Sequence, residues 1–254
     1  MKRWIALAAL LITLVPPGVV LAQNDMRTLF SAAQGGDPEA QNRLGVHFAS
    51  GERVPQDFAA ARSWWIKAAD QGFAGARYNL GTMYESGSGV AADPVAAARW
   101  YALAAGQGDA GARFRLGLLY ESGRGVVKDE RQALTLYRQA AEQGLAAAQN
   151  SYGRMYEMGR GLRQNVAEAR RWYKVAAEQG YVLAQSNYGF QLYAGAKQPQ
   201  DLIEAYAWVS LAAAQGNAIA IAHRDEIARK LSPQQLTAGE ARATVLRGRI
   251  AGKK

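Results

Sequence analysis

Residues 76–108 carry the stretch ARYNLGTMYESGSGVAADPVAAARWYALAAGQG, and much of the chain repeats its pattern at a fixed step. The position of Asp93 recurs every 36 residues, at Asp57, Asp93, Asp129, Asn165 and Asp201. A glycine also recurs every 36 residues, at Gly72, Gly108, Gly144, Gly180 and Gly216. Several coincident series at one step are the signature of a repeat protein.

Each unit is predicted to form two helices. The apolar residues of 76–85 fall at the spacing of one helical face, and Gly87 ends this first helix. Asp93 is a suitable N-cap for the second helix, and Pro94 follows at the first helical position, where its missing N–H costs nothing. Gly108 closes the second helix. One helix pair cannot bury its apolar face alone, so the pairs are expected to stack.

A glycine also recurs in the middle of each first helix, at Gly45, Gly81, Gly117, Gly153 and Gly189. Each costs about 1 kcal/mol of helix stability against alanine, so a steric requirement is expected. We predict close approach of the partner helix at its alanine pair, for example Ala104-Ala105, with aromatic pairs such as Trp100-Tyr101 filling the space between neighbouring repeats.

The pattern A-x-x-x-L-G-x-x-Y-x-x-G-x-G-V-x-x-D-x-x-x-A-x-x-W-Y-x-x-A-A-x-Q-G resembles the Sel-one-like repeat, a relative of the tetratricopeptide repeat, over roughly residues 37–220. Arg53 and Lys197 replace the second turn glycine, and Leu192 replaces the tyrosine, so the edges of the array are expected to be looser. The resemblance implies an adaptor that binds proteins or peptides, often in bacterial envelopes. Some cysteine-rich relatives bind or slowly hydrolyse β-lactams, but this chain has no cysteine.

The predicted fold class is all-α: a right-handed α-solenoid of about five 36-residue helix-turn-helix repeats with capping helices at both ends. The predicted segments are a signal peptide over 1–22, an N-terminal capping helix or half repeat over 23–36, repeats over 37–72, 73–108, 109–144, 145–180 and 181–216, and basic capping helices over 217–254.

The N-terminal segment predicts export. Lys2 and Arg3 precede an apolar run over residues 5–15, and Val20-Leu21-Ala22 fits a cleavage site after Ala22. We therefore expect a periplasmic or secreted protein. The alternative is a membrane anchor, although the run is shorter than the ~20 apolar residues that span a bilayer.

The basic charge is concentrated at the C-terminus. Residues 221–254 hold 8 Lys/Arg against 3 Asp/Glu, whereas residues 23–220 hold 20 against 18. The basic residues considered are Arg229, Lys230, Arg242, Arg247, Arg249, Lys253 and Lys254. They are expected to meet an anionic envelope surface or an acidic protein, or to be simply a solvated helix end. Nucleic acid is not expected, because an exported chain without a recognition motif does not suit it.

Few residues favour catalysis. The only histidines are His47 and His223, there is no G-x-S-x-G or S-x-x-K motif, and the glycine string at 106–111 follows a helix rather than a strand. No catalytic, metal or cofactor site is predicted, and the chain is expected not to be an enzyme. An envelope hydrolase or binding protein for cell-wall or β-lactam compounds is the alternative, which only the family relatives motivate.

Ligand contacts are predicted where the repeats differ. By analogy with tetratricopeptide arrays, the first helices line a concave groove, and the positions two before and two after the conserved Leu/Tyr face it. These groove slots are Asn42, Tyr78, Phe114, Asn150 and Ser186, then Val46, Thr82, Leu118, Arg154 and Phe190. An acidic row is added by Glu85, Glu121 and Glu157.

This mixture of residues suits a protein or peptide ligand bound to a monomer. The alternatives are that Tyr78 and Phe114 belong to the core between repeats, and that the glutamates are surface charge at helix ends.

Overall fold

The structure is a computed structural model that describes residues 17–252, with side chains from residue 25 onward. The predicted charged start and apolar run of the signal peptide, and Lys253 and Lys254, lie outside the described residues. The helices are α1 Pro17–Gln34, α2 Pro38–Ser50, α3 Phe58–Asp70, α4 Ala74–Ser86, α5 Pro94–Gly106, α6 Ala110–Ser122, α7 Glu130–Glu142, α8 Ala146–Met158, α9 Val166–Glu178, α10 Val182–Ala194, α11 Pro199–Ala213, α12 Ala218–Ala228 and α13 Pro233–Ala251. Among them, none is long and apolar enough to cross a membrane.

The predicted fold class, an all-α solenoid of consecutive helix pairs, is confirmed. The described part of the chain divides into two compact units, the first ending at Ala76 and the second beginning at Arg77. In the first unit, α1 and α2 share a small core around Leu29 and Leu44. In the second unit, clusters of alanines and buried tyrosines form the core between the second helix of one repeat and the first helix of the next.

The repeated Asp/Asn position begins the second helix of most pairs. Asp93, Asp129 and Asn165 each accept hydrogen bonds from backbone N–H groups of the following turn. Asp201 differs, because α11 begins earlier and places it in the first turn, where it accepts from the backbone N–H groups of Lys197 and Gln198 at 2.9 and 3.0 Å. These two bonds lower the pKa of the Asp201 carboxyl below its ordinary value.

The two turns that lack a second glycine respond differently. Arg53 keeps the left-handed conformation at φ 68°, which costs a non-glycine residue free energy. Lys197 does not adopt positive φ, and the turn before α11 is rearranged instead. This rearranged turn is also the reason that α11 begins at Pro199, ahead of Asp201.

Four of the five mid-helix glycines face an aromatic ring of the second helix, and Gly189 faces Val209. The predicted close approach of the partner helix is present, but the prediction that its alanine pair makes the contact was wrong. A Cβ on Gly81 would lie 2.6 Å from the Tyr101 ring, and one on Gly117 would lie 2.7 Å from Tyr137. The ring belongs to the second helix of the same repeat, and both tyrosines are fully buried. The buried tyrosine therefore packs on the glycine of its own repeat, and it also belongs to the core cluster shared with the first helix of the next repeat, as predicted.

Consecutive repeats are joined by buried glutamines. Gln149 on α8 donates to the carbonyl of Ala141 in the preceding repeat at 3.2 Å, and it accepts from Gln179 of its own repeat at 2.7 Å. Gln41 and Gln185 make the same two bonds. Each buried amide thus has partners on both sides, which fixes one repeat against the next.

The C-terminal helix leaves the repeat pattern. A capping box between Ser232 and Gln235 begins α13. This helix packs on α11 rather than pairing with α12. Gly239 lies against the ring of Tyr206, and Leu246 joins Trp208 in the core.

Candidate functional site

The three glutamates of the predicted acidic row are hydrogen-bonded inside the repeats. Each lies at the end of a first helix and accepts a bond from the buried tyrosine of the following helix. The bonds run from Tyr101 to Glu85 at 2.7 Å, from Tyr137 to Glu121 at 2.7 Å and from Tyr173 to Glu157 at 2.6 Å. The side chains of Glu85 and Glu121 are only 16% and 12% exposed.

Polar side chains from the next repeat cover these carboxylates. Arg154 Nη2 donates to both oxygens of Glu121 at 2.9 and 2.7 Å, and Arg160 Nη1 donates to Oε1 at 3.2 Å. Arg115 lies 3.8 Å from Glu85, and Gln191 donates to Glu157. The three guanidinium side chains are 36–41% exposed, so they lie nearer to solvent than the acids that anchor them.

At Glu85 and Glu121 the surface therefore presents arginines in place of the predicted acidic row, whereas Glu157 is covered by the neutral Gln191. The carboxylates are enclosed, and the guanidinium groups of Arg115, Arg154 and Arg160 are presented to solvent. Two arginines share the single carboxylate of Glu121, which leaves one positive charge in excess. We call Arg154 and Arg160 on Glu121 the arginine pair. Arginine forks of this kind match carboxylate ligands geometrically.

The tyrosine hydroxyls keep the carboxylates in place. Burial, followed by the hydrogen bond to Glu121 and its negative charge, raises the pKa of Tyr137 far above its ordinary value. Burial likewise raises the pKa of Tyr173, with Glu157 adding to the effect. Both phenols are protonated at neutral pH and donate continuously, so the glutamate positions are fixed before a ligand arrives.

The structure separates the groove slots into accessible and inaccessible side chains. Asn150 and Ser186 are buried, at 7% and 4% exposure, and Asn150 accepts a bond from Asn187 at 2.9 Å. These two slots stabilise the repeats and present little to a ligand. Val46, in the first unit, and Phe190, in the second, are exposed at 43% and 38%.

Tyr78 and Phe114 pack against the buried tyrosines of their own repeats, Tyr101 and Tyr137, with ring centroids 5.8 Å apart in both pairs. Both are half-buried, as is Leu118, which borders the same core. They therefore combine a packing role with a partly accessible edge.

The remaining two slots take part in hydrogen bonds to aromatic side chains. The Thr82 hydroxyl lies 3.2 Å from the Tyr101 hydroxyl. In the first unit, the Asn42 carbonyl accepts from the Trp65 indole at 3.2 Å.

An aromatic group lies where α10 meets α12. The Phe190 ring stacks on His223, with centroids 4.5 Å apart and planes at 20°. Tyr193 lies nearby, and Lys230 sits over its ring at 4.7 Å. Sequence reasoning missed His223 and Tyr193, which contact Phe190, and Arg115 and Arg160, which contact the glutamates. Each glutamate is separated from its tyrosine by 16 residues, and this constant spacing was the one sequence signal for the hydrogen bonds between them.

The basic C-terminal residues are divided between ion pairs and solvent. Arg242 pairs with Glu204 at 2.6 Å, and Lys230 lies 3.9 Å from Glu226. Arg247 and Arg249 are exposed on α13. Over residues 17–252, no three His, Cys, Asp or Glu side chains form a group that could hold a metal ion. The hydrolase alternative gains no support from this arrangement.

The Sel1 repeat family matches residues 38–73, 74–109, 110–145, 146–181 and 182–217. No curated protein matches the chain significantly. Among solved structures, the chain is similar to c5321, a protective antigen of uropathogenic Escherichia coli with an SLR fold. The two share 34% identity with a TM-score of 0.75, over 91% of this chain and 49% of that one. This chain therefore spans about half the length of that protein. A Sel1 repeat protein from Oxalobacter formigenes shares 32% identity over 83% of this chain and 86% of its own, with TM-score 0.74. A structure from Klebsiella pneumoniae described as a sel1 repeat protein, at 21% identity and TM-score 0.51 over 79% of this chain and 98% of its own, is similar in fold. With five consecutive matches over most of its length, the chain belongs to the Sel1 repeat family.

Proposed function

We propose that this protein is an exported, non-catalytic scaffold that binds a protein or peptide ligand through the first helices of residues 77–254. Sel1 repeats generally mediate protein–protein interaction. The observation that carries the proposal is the arginine pair, two half-exposed guanidinium groups held on one enclosed carboxylate. We infer that the ligand supplies a carboxylate.

The physical case for an acidic ligand rests on preorganisation. The Tyr137 hydroxyl donates to the Glu121 carboxylate, and this carboxylate holds Arg154, so a ligand does not have to order this long side chain. The excess positive charge at the pair attracts an anion. Phe190, exposed and stacked on His223, supplies an apolar anchor in the same unit.

Selection from a random peptide library on the purified protein tests this proposal. We expect the selected peptides to be rich in Asp and Glu near an apolar residue. Arg154→Gln combined with Arg160→Gln should weaken their binding at least tenfold. The matched control is Arg99→Gln, which removes an exposed arginine from α5. Selected peptides without acidic residues, or equal losses in both variants, would contradict the assignment.

Export is proposed on the N-terminal sequence alone. The predicted cleavage after Ala22 falls within α1, so the mature protein would begin inside that helix at Gln23. Mass spectrometry of the protein from a bacterial envelope fraction should give a chain that starts at Gln23. A chain that retains residues 1–22 in the membrane fraction would favour the anchor instead.

A further inference from the structure

The C-terminal helix α13 packs into a docking site that we call the seat. Its residues are Lys174, Glu178, Tyr188, Glu204, Trp208 and Leu211. Arg242 donates to both oxygens of Glu204 at 2.6 and 3.0 Å, and Glu204 also accepts from the Trp208 indole at 3.0 Å. Leu246 and Ile250 follow at four and eight residues after Arg242 and pack into the core beside Trp208. Trp208 is only 3% exposed beneath α13. The seat therefore recognises a helix that carries an arginine followed by two apolar residues on one face.

The residues of this seat occur a second time, 36 positions earlier. Glu204, Trp208, Leu211, Tyr188, Lys174 and Glu178 correspond to Glu168, Trp172, Val175, Tyr152, Arg138 and Glu142. Every member is identical or of the same chemical class. The repeat before that has Gln132 and Leu136 in place of the glutamate and tryptophan, so the seat occurs in only two adjacent repeats. The general repeat pattern does not account for it.

The second seat is open in the described part of the chain. Val175 is 39% exposed, whereas its counterpart Leu211 is 4% exposed under α13. Trp172 is half-buried over Tyr152, with ring centroids 5.1 Å apart, and so forms a fixed apolar floor. Glu168 is 36% exposed, and its neighbour is Arg171 of the same helix at 3.6 Å.

We propose that this open face, defined by Glu168, Trp172 and Val175, docks an amphipathic helix of a partner protein that has a basic residue followed by apolar residues four and eight positions later. The occupied seat shows which helix such residues accept, and the partly exposed carboxylate of Glu168 matches a basic side chain in charge. The face lies on a second helix of the array, so this inference does not depend on the ligand proposed for the first helices.

One difference between the two seats limits which helix the open one can bind. Tyr206, which receives Gly239 of α13, is replaced in the second seat by Arg170, whose guanidinium donates to the Gln191 carbonyl at 3.2 Å. Only the later half of α13, from Arg242 to Ile250, therefore has an equivalent seat. A partner helix needs the basic and apolar residues but not the early glycine.

A labelled synthetic peptide of residues 233–252 is the probe, added to the full chain and followed by fluorescence anisotropy. Saturable binding is expected, and Val175→Glu should weaken it at least tenfold. Val95→Glu, at a similarly exposed valine on α5, should leave it unchanged. Glu168→Arg should abolish binding of this peptide. The same variant should bind a peptide that carries Arg242→Glu, because the two charges are then exchanged. Circular dichroism of each variant reports whether the helices persist.

The proposal is overturned if no saturable binding is found, or if Glu168→Arg binds the peptide as the unsubstituted chain does. Loss of binding in Glu204→Arg but not in Glu168→Arg would mean that the peptide replaces α13 in its own seat. A concentration-dependent dimer in sedimentation that Val175→Glu removes would identify a second copy of the chain as the occupant. Both results would also overturn it.

Discussion

Each mid-helix glycine and the side chain that lies on it act as one structural unit. The ring of Tyr137 occupies the space that a Cβ on Gly117 would need, and its hydroxyl extends to Glu121. The glycine, the tyrosine and the glutamate therefore depend on each other. The close contact explains why a residue that weakens an isolated helix recurs in every repeat, because Trp65 lies on Gly45 and Val209 lies on Gly189 in the first and fifth repeats.

Two glycine substitutions should change stability in opposite directions. Gly117→Ala would place its Cβ 2.7 Å from a fully buried ring, and we expect a loss of about 1–3 kcal/mol in the free energy of unfolding. Gly248→Ala in α13 meets nothing within 4 Å and should gain up to ~1 kcal/mol. Urea unfolding measures both, and equal effects would contradict the steric explanation.

The buried tyrosines predict a loss of stability at alkaline pH. Burial raises the pKa of Tyr137 above the ordinary value of about 10. Below that pH the phenol is protonated in both states. Above it, only the unfolded chain loses the proton, so the free energy of unfolding falls by up to ~1.4 kcal/mol per pH unit for each such tyrosine.

Urea unfolding between pH 8 and pH 11 checks this prediction. Tyr137→Phe should show a shallower decline above about pH 10 than the unsubstituted chain, because it lacks one titrating phenol. Parallel declines would show that Tyr137 does not contribute.

Among the elements, the helices that begin and end with local signals were predictable from sequence. Asp93 and Pro94 begin α5 as expected, because capping involves residues only two or three positions apart. The start of α11 was not predictable from the repeat, since the rearranged turn at Lys197 moves Asp201 from the cap into the first turn. The seat of α13 depends on contacts 38 residues apart, such as Arg242 with Glu204, which no local pattern reveals.

Truncating the buried side chain of Leu246 should weaken the packing of α13 on the repeats. Leu246 is 5% exposed in the cluster beneath this helix, and Leu246→Ala is expected to cost about 2–5 kcal/mol. Because a terminal element of a repeat array can open locally, amide hydrogen exchange should accelerate in α13 while α6 and α7 stay protected. Val245→Ala, at the exposed neighbouring position, is the control. Uniform acceleration along the chain would contradict local opening.

At the scale of the whole molecule, the sequence predicted the number of repeats and their all-α class, because these follow from a short periodic pattern. It predicted an acidic row, whereas arginines cover two of its three glutamates. Glu121 lies in the same slot as its counterparts, but Arg154 and Arg160 reach it from 33 and 39 residues away. Which charge faces solvent therefore depends on stacking between repeats, which the repeat pattern alone does not specify.

The concentration of positive charge at the C-terminus predicts a salt-dependent affinity for anionic surfaces. Arg247 and Arg249 are exposed on α13, while Arg242 is engaged by Glu204. Replacing both exposed arginines with glutamine should reduce sedimentation with anionic lipid vesicles at low salt, and the difference should shrink as salt rises. Unchanged binding would mean that these residues are only a solvated helix end.

The central claim is that the arginine pair recognises a carboxylate of the ligand. A double-mutant cycle tests it most directly, with Arg154→Gln in the protein and Glu→Gln or Asp→Asn in a selected peptide, measured by calorimetry. We predict a coupling energy above ~1 kcal/mol, because both charges are held in a partly buried contact. Effects that add within ~0.5 kcal/mol would show that Arg154 and the acidic residue do not meet, and would contradict the account.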